Sequence, residues 1–150
     1  MSKETFSGGC QCGQVRYKIC QETLIAYACH CIECQRQTAS AFALSVPIEL
    51  DAFCVDGSLT AYDRPAHSGA TTKCHFCSNC GTRIYHQSSA SSELITLKGG
   101  TLDDASNLLP VAHLWILRAH KWIELPTDAE TYERQPTDLS GWRNKLLGIE

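Results

Sequence analysis

The chain lacks any long apolar run, any cluster of positive charge and any cysteine after residue 80. No stretch approaches the ~20 apolar residues that a membrane-spanning helix needs, so we expect no membrane partner. Its 13 Lys and Arg residues are scattered singly, and the formal net charge is −3. Because phosphate backbones are bound by clustered basic side chains, we expect no nucleic-acid partner.

We expect no secretory signal either, since the N-terminal segment MSKETFSGG contains no apolar stretch. We therefore expect the chain to remain in the cytoplasm, where thiols bind metal more often than they form disulfides. A length of 150 residues favours a single domain over residues 1–150. Oligomers are possible, but nothing in the sequence indicates an oligomeric state.

The abundant residue is cysteine, with ten in the chain. Seven of them form three clusters, namely Cys10 and Cys12, then Cys29, Cys31 and Cys34, then Cys77 and Cys80. Thiols two or three residues apart on tight turns can converge on one ion, whereas core-packing thiols have no reason to cluster. Zinc takes four protein ligands in a structural site and three plus an open position in a reactive site, which matches seven thiols.

Spacing alone leaves two ways to divide the ligands. The zinc-ribbon rule pairs Cys31/Cys34 with Cys77/Cys80, which leaves the other three thiols without a role. The alternative pairs Cys10/Cys12 with Cys77/Cys80 and leaves a local three-thiol site. The second division uses every clustered thiol, but spacing does not choose between them.

Two-residue alternation of apolar side chains predicts a β-rich fold. The cysteine clusters predict that bound metal stabilises it. The predicted strands cover residues 15–19, 24–28, 41–46, 54–62, 82–86, 93–98, 113–118 and 121–125. Pro47 is predicted to stop the third strand, and Asp56-Gly57 is predicted to form a hairpin turn. Residues 88–92 are predicted to form a polar hairpin loop. We expect helix only after Cys34 and over 140–147.

Three motifs carry a family resemblance: Gly8–Gly13, Cys29–Cys34 and Phe76–Gly81. Together they resemble the glutathione-dependent formaldehyde-activating enzyme family, which also contains centromere protein V. Later landmarks agree with it, namely Gly100–Asp104, Pro110, His113–Trp115 and Lys121–Trp122. The resemblance covers a core of about residues 5–125 and leaves 126–150 as a surface-hugging, C-terminal tail. Three clusters in this order are a highly specific match.

The resemblance implies a β-tent fold, a single zinc-stabilised domain of small antiparallel sheets. It implies two Zn²⁺ sites, one structural with Cys10, Cys12, Cys77 and Cys80, and one reactive and catalytic with Cys29, Cys31 and Cys34. It also implies glutathione as co-substrate and a small aldehyde as its partner. The implied activity is that of a carbon–sulfur lyase.

Several other residues are weighed against ordinary structural roles. Arg36 and Thr38 follow the second cluster and are candidate contacts for a glutathione carboxylate. His30 and Glu33 lie between ligands, so we expect them to point away from the metal. For five more we expect ordinary roles: Phe42 a strand-core aromatic, Cys20 and Cys54 buried apolar-like thiols, Cys74 a strand thiol, and His113 a core histidine. The role of His67 stays open, on a loop over 64–69.

Other functions remain in competition with this one. Methionine sulfoxide reductases share a zinc-pinned β architecture, but they need a nucleophilic cysteine late in the chain, and residues 81–150 have none. A non-catalytic zinc-stabilised binding domain or glutathione carrier would show the same cysteine pattern. An iron–sulfur carrier is a further alternative, because thiolates also hold those clusters.

Overall fold

The computed structural model describes residues 5–66 and 68–149, and it confirms the mainly β fold. The strands of this described part are β1 (Thr5–Gly9), β2 (Arg16–Cys20), β3 (Ala26–Cys29), β4 (Ala43–Glu49), β5 (Phe53–Asp56), β6 (Leu59–Pro65), β7 (Thr71–Cys77), β8 (Arg83–Ser88), β9 (Leu94–Lys98), β10 (Pro110–Leu114) and β11 (Glu130–Thr131). The α-helices are α1 (Ile32–Thr38) and α2 (Leu139–Leu146), and short 3-10 helices cover Leu50–Ala52, Gly99–Thr101 and Ile116–Arg118. None of these helices is long and apolar enough to cross a membrane.

The strands form two sheets of unequal size. The small sheet is antiparallel in the order β1-β2-β5. The large sheet has the order β11-β10-β3-β4-β9-β8-β7-β6, and it is antiparallel except where β10 pairs with β3 and β11. A bridge between Gly8 and Leu102 joins β1 to the chain that follows β9.

The main hydrophobic core joins the two sheets, and two-residue alternation builds it. In β2, Tyr17 and Ile19 are buried whereas Arg16 and Lys18 are exposed, because successive side chains of a strand point to opposite faces. The large sheet adds Val46, Ile48, Ile84, Ile95 and Leu97 to the same core. Each fully buried aliphatic side chain stabilises the fold by roughly 1.5–3 kcal/mol relative to an exposed one.

The opposite face of the large sheet is buried too, but polar side chains occupy it. In β9 the positions that alternate with the core residues are Thr96 and Lys98, and both are buried. Lys98 lies opposite Ser45 of β4, which lies opposite Tyr27 of β3. Cys29 follows Tyr27 by two residues, so it projects to the same face as Lys98.

The segment after residue 126 builds a second, smaller core on this side of the large sheet. Tyr27 and Leu114 pack there with apolar residues of α2, including Trp142. The rings of Tyr27 and Trp142 meet edge to face at 5.2 Å. Arg143 Nε also donates a hydrogen bond to Tyr27 Oη at 3.0 Å. The C-terminal segment that was predicted to be a surface tail therefore also packs against the large sheet.

Two turn predictions are wrong. Pro47 does not stop β4, which continues to Glu49. Proline lacks an N–H, but the pairing of β4 with β3 ends at Ser45, so no bond of that ladder is lost. Asp56-Gly57 does not make a hairpin, because β5 pairs with β2 and β6 pairs with β7. The chain instead crosses there from the small sheet to the large one.

Late in the chain, the Trp-rich segment is less extended than predicted. β10 ends at Leu114, and residues 121–125 form no strand. Trp115 has a φ of 58°, and this left-handed conformation ends an extended strand.

Cys20 and Cys54 do lie on strands, but both are exposed rather than buried. Cys20 shares the outer face of β2 with Lys18, which explains its exposure.

Candidate metal centres

Cysteine sulfur atoms converge at two places in the structure. Within each group all the sulfurs lie within 4.8 Å of one another. The four-thiol group consists of Cys10, Cys12, Cys77 and Cys80, and the three-thiol group consists of Cys29, Cys31 and Cys34. Of the two divisions that spacing leaves open, the fold brings the thiols together in the second.

The four-thiol group has the sulfur spacing of a tetrahedral zinc site. Cys12 Sγ lies 3.5 Å from Cys10 Sγ and 3.8 Å from Cys77 Sγ. Zinc–sulfur bonds of about 2.3 Å in a tetrahedron separate the sulfurs by about 3.8 Å. The donor set therefore fits zinc held by four thiolates.

Glycine shapes the two turns that present these thiols. Gly13 and Gly81 have φ values of 84° and 79°, a left-handed conformation that glycine adopts at no steric cost. Gly13 N–H donates to the carbonyl of Cys10 at 3.2 Å, and Gly81 N–H donates to the carbonyl of Cys77 at 3.0 Å. Each turn thus closes on its first cysteine, which keeps both thiols of the pair on one side.

Hydrogen-bond donors around the four-thiol group favour the thiolate form. Val15 N–H donates to Cys10 Sγ at 3.2 Å, and Cys80 N–H donates to Cys77 Sγ at 3.5 Å. The Thr82 hydroxyl lies 3.2 Å from Cys80 Sγ, and with nearby backbone N–H groups it lowers the pKa of Cys80 to about 5. The thiolate is the form that binds metal.

The three-thiol group lies where β3 ends and α1 begins. Cys29 is the last residue of β3, and Cys31 caps α1 by accepting a hydrogen bond from Cys34 N–H at 3.3 Å. An acceptor at the cap satisfies a backbone donor that the helix leaves free. This cap explains why the helix begins at Ile32, inside the cysteine motif, rather than after Cys34 as predicted.

These three thiols share negative charge unequally. Hydrogen bonds from Cys29 and Cys34 lower the pKa of Cys31 to about 2, and the same contact with Cys31 raises the pKa of Cys29. Cys34 is buried and the other two are half-buried. Three adjacent thiolates repel one another, so the fully deprotonated set needs a cation among them. Zinc with three protein ligands and one open position fits this donor set.

Two histidines are buried beside the three-thiol group. His30 Nε2 lies 3.0 Å from His113 Nδ1, and the backbone N–H of His30 donates to the carbonyl of Leu114 at 2.9 Å. Burial, with the nearby His113, lowers the pKa of His30 to about 4. His30 is thus a neutral residue bonded to His113, and its ring does not take part in either thiol group.

Gln35 was missed by the sequence analysis, although it fixes the helix that carries Cys34. Its Nε2 donates to the carbonyl of His30 at 2.7 Å and to that of Arg118 at 2.9 Å. Its Oε1 lies 3.0 Å from Nε2 of His120. A glutamine in a short helix is usually solvated, so only the fold reveals this role.

The two candidate glutathione contacts lie on α1 in different settings. Arg36 lines a cavity of about 430 Å³ together with His120 and Trp122. The Thr38 hydroxyl donates to the carbonyl of Cys34 at 2.7 Å, one turn back along the helix. Their contact with glutathione stays a prediction.

Four other candidates of the sequence analysis can be placed or set aside. Phe42 is not the strand-core aromatic that was predicted, because it lies before β4 and is half-buried, with its ring 5.1 Å from the His30 ring. Cys74 is a buried thiol of β7 whose Sγ donates to the carbonyl of Thr72 at 3.7 Å. Glu33 is exposed, with its carboxylate 4.0 Å from Arg64 Nε. His67 lies outside the described residues.

Three cationic side chains lie near the three-thiol group, and the sequence analysis did not find them. Lys98 is only 6% exposed; burial lowers its pKa, and the nearby Cys34 thiol partly offsets this. Burial also lowers the pKa of Arg83, whereas the negative charges of the nearby Cys74 and Cys34 thiols raise it. Arg64 helps to lower the pKa of Cys31. The sequence offered one indication, since Lys98 occupies an alternating position in a predicted strand.

Comparison with known proteins identifies the family. A family model described as glutathione-dependent formaldehyde-activating enzyme matches residues 5–118, which include both thiol groups. A crystal structure of a Rhodobacter sphaeroides protein is similar, with a TM-score of 0.53 and 25% identity over 67% of this chain and 91% of that chain. A search of curated proteins found no match. The chain belongs to the glutathione-dependent formaldehyde-activating enzyme family.

Proposed function

We propose that this protein is a zinc-dependent enzyme of the carbon–sulfur lyase type. It condenses glutathione with a small aldehyde such as formaldehyde, or it cleaves the adduct. The observation that carries the proposal is the separation of seven clustered thiols into a group of four and a group of three. Four thiolates saturate zinc, whereas three leave room for a substrate.

Cys29, Cys31 and Cys34 are the proposed ligands of the reactive site. Zinc held there would stabilise a substrate thiol as its thiolate near neutral pH. Cys31 caps α1 by accepting a hydrogen bond from Cys34 N–H, and Gln35 fixes the same helix; both contacts hold the three sulfurs in place. Arg36 and Thr38 remain proposed contacts for glutathione.

The proposed reaction is an addition with no change in oxidation state. The glutathione sulfur attacks the aldehyde carbon and forms a carbon–sulfur bond. The π electrons of the carbonyl move to its oxygen, which takes a proton and gives S-hydroxymethylglutathione. In the reverse direction the hydroxyl loses its proton, the carbon–sulfur bond breaks, and the electron pair returns to sulfur.

The direct test compares Cys31→Ala with Cys54→Ala as a matched control. Cys54 is an exposed thiol outside both groups. We expect wild type and Cys54→Ala to form the adduct faster than the uncatalysed mixture, and Cys31→Ala to fall to the uncatalysed rate. NMR with labelled formaldehyde measures this rate directly.

Two outcomes would contradict the proposal. Equal rates for wild type and Cys31→Ala would show that the three-thiol group is not catalytic. A wild-type rate equal to the uncatalysed one, together with tight glutathione binding, would favour the non-catalytic carrier instead.

A further inference from the structure

Buried nitrogen atoms without partners are concentrated around the three-thiol group. Within the described residues, five buried side-chain nitrogens make no hydrogen bond. They are Nε of Arg64, Nε and Nη1 of Arg83, Nδ1 of His30 and Nε2 of His113. Buried polar groups in folded proteins almost always have a partner, so a concentrated set of exceptions indicates a missing one.

Lys98 adds a buried charge to the same place. The ion pairs of the described residues involve Arg16, Arg64 and Lys73, and none includes Lys98. A buried ammonium is costly unless an anion or a hydrogen-bond acceptor offsets it. The thiols of Cys34 and Cys29 are near enough to raise its pKa, but burial outweighs them.

Topology explains how these side chains meet. Cys29 ends β3, Lys98 ends β9 and Arg83 begins β8. β3 and β9 are both antiparallel to β4, and β8 is antiparallel to β9. The end of β3, the end of β9 and the start of β8 therefore lie at the same end of the large sheet.

The thiols themselves do not satisfy the unpartnered guanidinium atoms. Arg83 Nε and Nη1 and Arg64 Nε have no hydrogen-bond partner among the described residues, although the Cys74 thiol lies close enough to Arg83 to raise its pKa against the effect of burial. Glu33 approaches only Arg64, at 4.0 Å, and its own side chain is 54% exposed. Arg83 and Lys98 are thus left without a carboxylate partner within the described chain.

We propose that Lys98 and Arg83, with Arg64 beside them, bind a carboxylate of the thiol substrate, so that the site selects acidic thiols over neutral ones. The inference rests on the proposed function, because it assumes that a thiol occupies the three-thiol site. Guanidinium and ammonium groups form strong charge-assisted hydrogen bonds with carboxylates. Glutathione carries two carboxylates and belongs to this class.

The test uses two ligands that differ only in those carboxylates. Calorimetric titration of the zinc-loaded protein would compare glutathione with glutathione diethyl ester, in wild type, Lys98→Met and Lys73→Met. Lys73 is the control, since it is half-exposed and paired with Asp63. We expect wild type and Lys73→Met to prefer glutathione by about tenfold or more, and Lys98→Met to lose that preference.

Zinc content and circular dichroism of each variant show that fold and metal are retained. Should Lys98→Met fail to fold, Arg64→Gln replaces it, because that side chain is 20% exposed; we expect it to reduce the preference for glutathione as well. A binding preference that persists in both variants would overturn the inference.

Three further results would also contradict it, and they separate it from the proposed function. Equal wild-type affinity for glutathione and its diester would overturn the inference alone. An equal loss of affinity for both ligands in Lys98→Met would mean that Lys98 only offsets thiolate charge, and this too overturns the inference alone. Failure of wild type to bind either ligand would overturn both proposals.

Discussion

At the scale of single residues, Gly8 shows how closely the two sheets approach each other. A Cβ added there would lie 2.5 Å from Cζ of Tyr17 and would also collide with the carbonyl oxygen of Thr101. Tyr17 cannot easily move, because its hydroxyl is hydrogen-bonded to the Thr101 hydroxyl at 2.8 Å and its ring is buried. The contact between β1 and the chain after β9 therefore requires glycine.

We expect Gly8→Ala to lower the free energy of unfolding by about 1–3 kcal/mol, the usual cost of overpacking. Gly100→Ala is the control, because nothing lies within 4 Å of a Cβ added at that position. Urea denaturation of both variants against wild type measures the difference. Equal stability of the two variants would contradict the described contact.

Residues of the candidate site could be predicted from the sequence only where they lie close to one another along the chain. The cysteine motifs give the candidate ligands because thiols spaced closely on tight turns can converge on one ion. Lys98 and Arg83 could not be found in this way, since a single charged residue in a strand is usually solvated. Only the pairing of β8 with β9, on the same sheet as β3, shows that they meet at one end of that sheet.

At the scale of elements, α2 is held by packing centred on its Trp142 side chain. Its Trp142 packs edge to face with Tyr27 at 5.2 Å and lies 6.0 Å from the Tyr132 ring. Leu139 and Leu146 of the same helix join this cluster. An eight-residue helix is too short to be stable by itself, so tertiary packing holds it.

We expect Trp142→Ala to destabilise the protein by about 2–4 kcal/mol, somewhat below a fully buried Trp because the side chain is half-buried. Trp122→Ala is the matched control, as that side chain is 73% exposed, and its expected change is within about 0.5 kcal/mol. Thermal unfolding of both variants measures the two changes. A larger effect from Trp122→Ala than from Trp142→Ala would contradict the packing of α2.

Strands with clear alternation were predictable, and connections were not. The alternation in 15–19 and 93–98 gave β2 and β9 nearly to the residue. The hairpin predicted at Asp56-Gly57 is wrong because a local turn preference does not show which sheet the next strand joins. The strand predicted over 113–118 stops at Leu114 because Trp115 turns the chain with a φ of 58°, which apolar composition does not reveal.

At the scale of the whole molecule, the four-thiol group connects the two sheets. Cys10 and Cys12 lie between β1 and β2 of the small sheet, whereas Cys80 follows β7 of the large sheet and Cys77 ends it. A zinc ion shared by these thiols would hold the sheets together and add to the free energy of folding. The three-thiol group lies between the end of β3 and the first turn of α1, so it is not needed for this connection.

We expect a stepwise chelator titration to remove zinc in two phases. The first phase releases the ion of the three-thiol group and leaves the circular dichroism spectrum unchanged, because that group does not join the sheets. The second phase releases the other ion and unfolds the protein. Cys31→Ala is expected to show the second phase only. Simultaneous release of both ions without unfolding would contradict this division of roles.

Diffraction from crystals across the zinc absorption edge would locate both ions and identify the sulfurs that bind each one. We expect two anomalous peaks, one bonded to four cysteine sulfurs and one bonded to the sulfurs of Cys29, Cys31 and Cys34. A single peak bonded to Cys31, Cys34, Cys77 and Cys80 would contradict the separation into a structural and a reactive site.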